Sequence, residues 1–302
     1  MSRESRNIGA SVRARLLTRS RAEGSEYQIL LTRYALERLL YRLSVSVHSK
    51  RFILKGALLL ATWLPDPFRP TRDLDLLGHG SDDPATLVET FKTICMTPVP
   101  DDGVTFDTAG LTAVPIREDV EYGGVRVRTL ATIDGARIPI QVDIGYGDII
   151  TPGPVEIEYP TLLDSPAPHL RAYPVETVVA EKFEAMVTLG IANSRLKDFY
   201  DLWLISRTFH FESFVLNDAV RRTFQRRETP VPVDIPTGLT EQYASQWAAQ
   251  WKAFLKREHM KAAPDEFAVV ISDLRSFLVP LSKPPLPTFR WQPGGPWSKS
   301  ER

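Results

Sequence analysis

Two carboxylates spaced two residues apart are the first sign of chemistry in this chain. In "RPTRDLDLLG", residues 69–78, Asp73 and Asp75 stand inside an apolar run with Leu74, Leu76 and Leu77. Side chains alternate along a strand, so both acids project from one face while Leu74 and Leu76 anchor the other. Ionised side by side they repel, and a divalent cation is the usual compensation. Oxygen-only ligands select Mg2+ or Mn2+. A third acid, Asp143, lies on the polar face of "IPIQVDI" (138–144), whose Ile138, Ile140, Val142 and Ile144 line the opposite face. Three acids from two neighbouring strands can hold metal ions beside a nucleoside triphosphate. A D-x-D pair alone is a weak sign, because exposed strand faces often carry acids.

Other residues add to it. In "FILKGALLL", Lys55-Gly56 falls between a strand and a helix, where backbone N–H groups can approach phosphate. Further on, "VETVVAEKFEAMVTLGIANSRLKDFYDLWLI" (175–205) places Lys182 in the middle of a helix's apolar stripe, among Val175, Val178, Met186 and Leu189. Such a lysine must snorkel, pair with an acid or meet a phosphate. Arg195, Asp198 and Asp201 then recur at three-residue spacing on the next helix. An ion-pair network joining Lys182 to Asp198 or Asp201 and a phosphate-binding role both fit this pattern.

The elements that position these residues follow from periodicity. Residues 26–43 repeat Leu and Tyr at helical spacing, "RFIL" (51–54) reads as a buried strand, and "KGALLLATWL" reads as a helix. Asp83-Pro84 has the form of a helix N-cap followed by its first turn. From about 104 to 160 the period becomes two, and Asp134-Gly135 predicts a hairpin between 125–133 and 138–144. Helices are expected at about 175–189, 195–208, 212–226, 240–258 and 264–278, with Tyr243, Trp247 and Trp251 as a core stripe. The reading is an α/β (α+β) chain: a mixed-sheet domain with a basic helical N-terminal arm at 1–165, a helical domain at 166–280, and a proline-rich tail at 281–302 that is expected not to pack as helix or strand.

A strand, a glycine at a helix start and a second strand bearing D-x-D form the arrangement of the polymerase-β type of nucleotidyltransferase fold. The chain resembles the AbiEii/AbiGii toxin family, nucleotidyltransferase toxins of type IV toxin–antitoxin systems that include the MenT enzymes. The resemblance runs from about residue 5 to 210 and is strongest at "FILKGALLL…RPTRDLDLLG", "IQVDIGYGD" and "AEKFEAMVTLGIANSRLKDFYDL". It implies an active site built from Lys55-Gly56, Asp73, Asp75, Lys182, Arg195, Asp198 and Asp201, completed by the helical domain. Asp73, Asp75 and Asp143 would hold Mg2+ (or Mn2+), and Thr71, Arg72 and Arg195 would stand at the NTP substrate. The resemblance also implies an RNA acceptor such as the tRNA 3′ end, growth arrest, phage defence and a cognate antitoxin from a neighbouring gene. Where many such folds have Gly-Ser this chain has Gly56-Ala57, and Thr71 could supply the missing hydroxyl. A small-molecule acceptor, or a non-catalytic nucleotide-binding module, are the other readings.

Composition bounds these options. The 302 residues carry 37 Lys+Arg and 37 Asp+Glu, so no global field draws the chain to a polyanion. Residues 1–51 hold eleven cations, among them Arg3, Arg6, Arg13, Arg15, Arg19, Arg33, Arg38 and Arg42, against four Glu. That excess makes Arg13, Arg15 and Arg19 candidates for RNA phosphate contact, with a solvated helix as the plain alternative. A single cysteine leaves no internal disulfide, and the five scattered histidines match no zinc spacing. The apolar run "FILKGALLLATWL" is too short to cross a bilayer, and the N-terminus has no apolar signal core; a cytoplasmic protein is expected.

Overall fold

The computed structural model describes residues 7–64, 71–116, 123–260, 262–283 and 289–299. Arg3 and Arg6 of the basic arm, Arg69-Pro70 ahead of the acidic strand, and Pro284, Pro285 and Pro287 of the tail lie outside the described residues. The chain divides into two units, Met1–Gly147 with Val155–Ala172, and Asp148–Pro154 with Tyr173–Arg302.

The first unit opens with α1 (Ile8–Glu23) and α2 (Tyr27–Val45), then β1 (Phe52–Lys55), β2 (Asp73–Gly78) and α3 (Pro84–Cys95). It continues through β3 (Thr105–Phe106), β4 (Thr112–Ile116), β5 (Gly124–Ile133), β6 (Ala136–Tyr146), β7 (Val155–Glu158) and β8 (His169–Ala172). The strands form one mixed sheet in the order β3-β5-β6-β2-β1-β8-β7, with β4 also on β5. β2 runs antiparallel to β1 and parallel to β6. The hairpin turns at Asp134-Gly135, both with positive φ as a tight two-residue turn demands, and pairs Ile133 with Ala136. That pairing buries Ile138, Ile140, Val142 and Ile144 and leaves Gln141 and Asp143 on the partly exposed face.

Two expectations change here. The segment after Gly56 is not an α-helix but a 3-10 turn, Ala57–Thr62, in which Leu58, Leu59 and Leu60 are all buried. Three consecutive buried leucines need apolar cover all round, which an amphipathic helix does not offer. The expected boundary at residue 165 also falls short, because β8 still pairs with β1 at Leu54 and Ala172.

The second unit holds α4 (Val175–Leu189), α5 (Leu196–Thr208), β9 (Phe211–Glu212), α6 (Ser213–Arg226), α7 (Glu241–Arg257) and α8 (Phe267–Leu278), then β10 (Phe289–Trp291) and β11 (Trp297–Lys299). An aromatic cluster forms its core: Trp251 stacks on Phe267 at 4.7 Å and Phe199 on Tyr243 at 5.3 Å. The tail departs from expectation. β10 pairs with β11 and with β9, Trp291 is buried, and its indole N–H donates to the Ser206 carbonyl at 2.7 Å. Burying an indole outweighs the prolines, which fall outside the three-residue strands.

Candidate active site

The acids of the first unit fall into a row that crosses four strands. Antiparallel register sets Arg126 of β5 opposite Asp143 of β6, parallel register sets Asp143 beside Asp75 of β2, and Asp75 faces Lys55 of β1. Registered neighbours share a face, so the row reads Arg126, Asp143, Asp75, Lys55, with two acids inside and a cation at each end. The next row on that face is Arg128, Gln141, Asp73. Asp73 and Asp75 are partly exposed and Leu74 and Leu76 buried, as the alternation predicts.

Gly56 follows β1 immediately, with φ +73° and ψ −160°. A Cβ there would lie 2.6 Å from both Cβ and Cγ of Asp75. Only glycine accepts this backbone and this approach together, so the backbone is held against the acid's carboxylate. The hydroxyl of Thr71 makes a long hydrogen bond, 3.4 Å, to the Asp73 carbonyl, and the exposed Arg72 guanidinium stands 3.8 Å from Glu26.

The expected three-acid metal group is not assembled. Among the described residues no three or more His, Cys, Asp or Glu side chains gather closely enough to share an ion. Asp143 is paired with Arg126, whose Nε and a terminal nitrogen donate to its two carboxylate oxygens at 2.8 and 2.7 Å. Gln141 adds a 3.5 Å bond to the same carboxylate. Arg126 was not among the residues singled out from the sequence, although the hairpin contained the signal. A two-residue turn at 134–135 fixes the pairing all the way back to 126 and 143.

The second unit carries its own charge groups. Lys182 of α4 pairs with Asp198 at 2.5 Å and Asp201 at 3.0 Å, both on α5, and Asp201 is fully buried. Arg195 caps the start of α5; its backbone N–H donates to the Asn193 side chain and its own side chain is exposed. A second cluster was not anticipated. Arg227 lies 2.8 Å from Glu184, 3.3 Å from Glu181 and 3.4 Å from Asp148. The Tyr173 hydroxyl donates to Asp148 at 3.1 Å, and burial, reinforced by the Glu181 and Asp148 charges, raises that phenol far above its ordinary range. Thr188 and Thr229 hydroxyls donate to Glu184. Apart from Thr188, these partners lie 25 to 79 residues apart and leave no local spacing to read.

Several cations of the basic N-terminal segment have partners within the first unit. Arg13 donates to the Asp134 carbonyl at 2.8 Å, Arg15 pairs with Asp164 at 2.6 Å, and Arg19 donates to the Leu162 carbonyl at 2.8 Å. Arg42 holds Asp102 by two bonds, 2.6 and 3.1 Å, and Arg38 is buried against Glu37 at 2.9 Å. These bonds join α1 and α2 to the rest of the first unit, while the Arg13 and Arg15 side chains stay 40% and 47% exposed.

A glycine backbone held against a D-x-D strand, beside a parallel strand with a further acid, is the arrangement that a nucleotidyltransferase would use. Residues 38–278 match the family described as nucleotidyl transferase AbiEii toxin, type IV toxin–antitoxin system. The chain belongs to that family, and nucleotidyl transfer is its class of reaction. Two solved Helicobacter pylori proteins overlap it more loosely. One is JHP933, at 15% identity and TM-score 0.44, covering 85% of this chain and 96% of its own. The other is a candidate nucleotidyltransferase at 16% and 0.45, covering 85% and 98%. No curated protein matches the chain significantly. No described helix is long and apolar enough to cross a membrane.

Proposed function

We propose that this chain is a Mg2+-dependent toxin that transfers a nucleotidyl group from an NTP to an RNA acceptor, with the tRNA 3′ end as the expected target. The observation that carries the nucleotide site is the approach of the Gly56 backbone to Asp75 on the Asp73/Asp75 face. The donor set fits the ion. Mg2+ binds through one or two carboxylates plus triphosphate oxygens and does not need an all-protein cage. When bound, it neutralises charge developing on the phosphates. Asp73 and Asp75 would hold and orient that ion, and the bare Gly56 leaves room for phosphate. Lys55 ends the charge row on one side and Arg126 on the other. In the reaction the acceptor hydroxyl oxygen bonds to the α-phosphorus while the bond from the α-phosphorus to the bridging oxygen of pyrophosphate breaks. Asp143 orients that hydroxyl and takes its proton.

The RNA acceptor rests on the family, together with growth arrest, phage defence, a cytoplasmic setting and a cognate antitoxin from a neighbouring gene. It gains nothing from α1, whose arginines are engaged within their own unit. On α6, Arg221, Arg222 and Arg226 line a cavity of about 620 Å3 with Asp218 and Glu228, Arg221 bonded to Asn217 and Arg222 to Asp218. The engaged arm is also the observation that favours a small-molecule acceptor as the second reading. Incubating the protein with each α-labelled NTP, Mg2+ and total RNA separates the two. Label on an RNA band, absent with chelator and with Asp75→Ala, supports RNA; label only on small-molecule products supports the second reading; no label under any condition sinks both.

A further inference from the structure

We propose that Arg128 of β5 binds a phosphate of the acceptor, the one next to the hydroxyl that receives the nucleotide. The inference deepens the reading above. It rests on Asp143 as the residue that takes the acceptor proton, and it requires an acceptor that itself carries phosphate.

The sheet register places the residue. Arg128 lies between Thr112 of β4 and Gln141 of β6, and Asp73 of β2 stands one strand beyond Gln141 on the same face. Arg126 is two residues back on the same strand, so the two arginines share a face and differ in what opposes them. Arg126 meets an acid and forks onto it at 2.8 and 2.7 Å. Arg128 meets an amide. Among the described residues its one partner is Gln141, whose side-chain oxygen accepts from the Arg128 Nε at a long 3.4 Å, and no carboxylate balances its charge. The amide nitrogen of Gln141 in turn reaches Asp143 at 3.5 Å, so a single neutral side chain spaces Arg128 from that acid. Arg128 and Thr112 are both exposed, which leaves this end of the row reachable from solution.

Position then selects the ligand. Across the face the strands run β5, β6, β2, β1, with Gly56 directly after β1. The triphosphate would lie at the Gly56 end and the acceptor hydroxyl at Asp143 of β6, so a group reaching on toward β5 belongs to the acceptor and not to the NTP. Arg128 and Asp143 are diagonal neighbours, a spacing of about 7–8 Å that long side chains bridge. A planar guanidinium suits phosphate, which it can meet with two parallel hydrogen bonds. A polynucleotide supplies such a phosphate beside its terminal hydroxyl, and a neutral small molecule supplies none.

Initial rates with bulk tRNA and α-labelled NTP, together with tRNA binding over a salt series, test this on the whole protein. Arg128→Gln is expected to raise KM for tRNA about 10-fold, the loss of one charged hydrogen-bonded contact, and to leave KM for NTP and the melting temperature as they were. The slope of log K against log salt should shrink by about 0.7–0.9, the share of one phosphate. Arg128→Lys keeps the charge and should keep the wild-type slope. An unchanged slope in Arg128→Gln, a rise in KM for NTP instead of tRNA, or a melting temperature far below wild type would each overturn the inference, the last by making Arg128 a support of the sheet. Wild type keeps the two fates distinct. If it labels tRNA and Arg128→Gln does so with the same KM, this inference alone fails; if it labels no RNA, the RNA-acceptor reading fails and takes this inference with it.

Discussion

The Asp75–Asp143 row of the first unit and the Lys182–Asp198–Asp201 group of the second are built from the same side chains and differ in what closes them. On the sheet, two acids lie side by side on a partly exposed face, each with a cation at its outer flank. In the helical unit one lysine is sandwiched by two acids, and exposures fall from 19% for Lys182 to 11% for Asp198 and 0% for Asp201. Removing a charge from the open face exposes what remains to water, whereas removing one from the closed group strands the rest in a low dielectric. Open acids are thus expected to tolerate substitution, whereas removing a charge from the closed group is expected to cost stability.

The largest effect expected from this contrast is on turnover. Asp75→Ala should lower nucleotide transfer about 1,000-fold or more, since losing an ion ligand forfeits several kcal/mol of transition-state stabilisation. Its melting temperature should hold or rise, because the substitution relieves repulsion with Asp73 on the same face. Single-turnover assays with α-labelled NTP alongside thermal melts check both halves. A folded variant with full activity would remove Asp75 from the site.

Lys182→Met should do the opposite. It leaves Asp198 and Asp201 without their shared cation, at a cost of about 3–5 kcal/mol for a broken buried pair. For a unit of this size that amounts to roughly 6–20 °C of melting temperature. If Lys182 instead serves the triphosphate, as its place in the family motif implies, the variant will melt near wild type and lose NTP affinity, and the contrast between the two groups collapses.

The sequence showed the first of these groups more clearly than the second. Period-two alternation put Asp73, Asp75 and Asp143 on polar faces, and the Asp134-Gly135 turn set the hairpin, because strand periodicity and turn chemistry are local. Helix α4 was legible for the same reason, and Lys182 stood out as a charge on an apolar stripe. What could not be read were contacts that only the fold creates. The carbonyls and carboxylates that occupy Arg13, Arg15 and Arg19 lie more than a hundred residues away. Counting charges along 1–51 therefore suggested a free basic surface where the fold had already found partners. The run after Gly56 misled for a different reason. Leucine spacing there fits a helix, and only burial on every side distinguishes the 3-10 turn.

A closed group within the first unit extends the comparison through pH. Glu37 is buried beside Arg38 and accepts the Leu162 N–H at 2.7 Å. Burial raises its carboxyl from an ordinary 4.5 to about 6, with Arg38 opposing the rise. A raised carboxyl binds its proton more tightly in the folded state. Its contribution is therefore fully present below pH 4.5 and is lost as pH climbs through about 6, a change of about 2 kcal/mol. Glu37→Gln, neutral at every pH, should lack this slope, so the difference between variant and wild-type stability should grow in the variant's favour across that window. Denaturant melts at pH 4, 5, 6 and 7 measure it. Parallel curves would mean that Arg38 keeps Glu37 ionised throughout, and the group would then count as a compensated pair and not as a penalised acid.

The smallest effect concerns the surface that the charge count had offered to RNA. Arg19 donates to the Leu162 carbonyl at 2.8 Å and pairs with Glu23 on its own helix. If it is a staple, Arg19→Ala should cost about 1 kcal/mol, the net worth of one such hydrogen bond. The salt dependence of RNA binding should stay as it was. If it is a phosphate contact, stability should be unchanged and the slope of log K against log salt should shrink by about 0.7–0.9, the share of one released counterion. Titrating labelled RNA at four salt concentrations, with melts on the same samples, tells these apart. An unchanged slope with a lower melting temperature puts α1 with Lys182 and Glu37, among charges that hold the fold. A reduced slope would make it a place where a cation bonded inside its own unit can still be given up to a ligand.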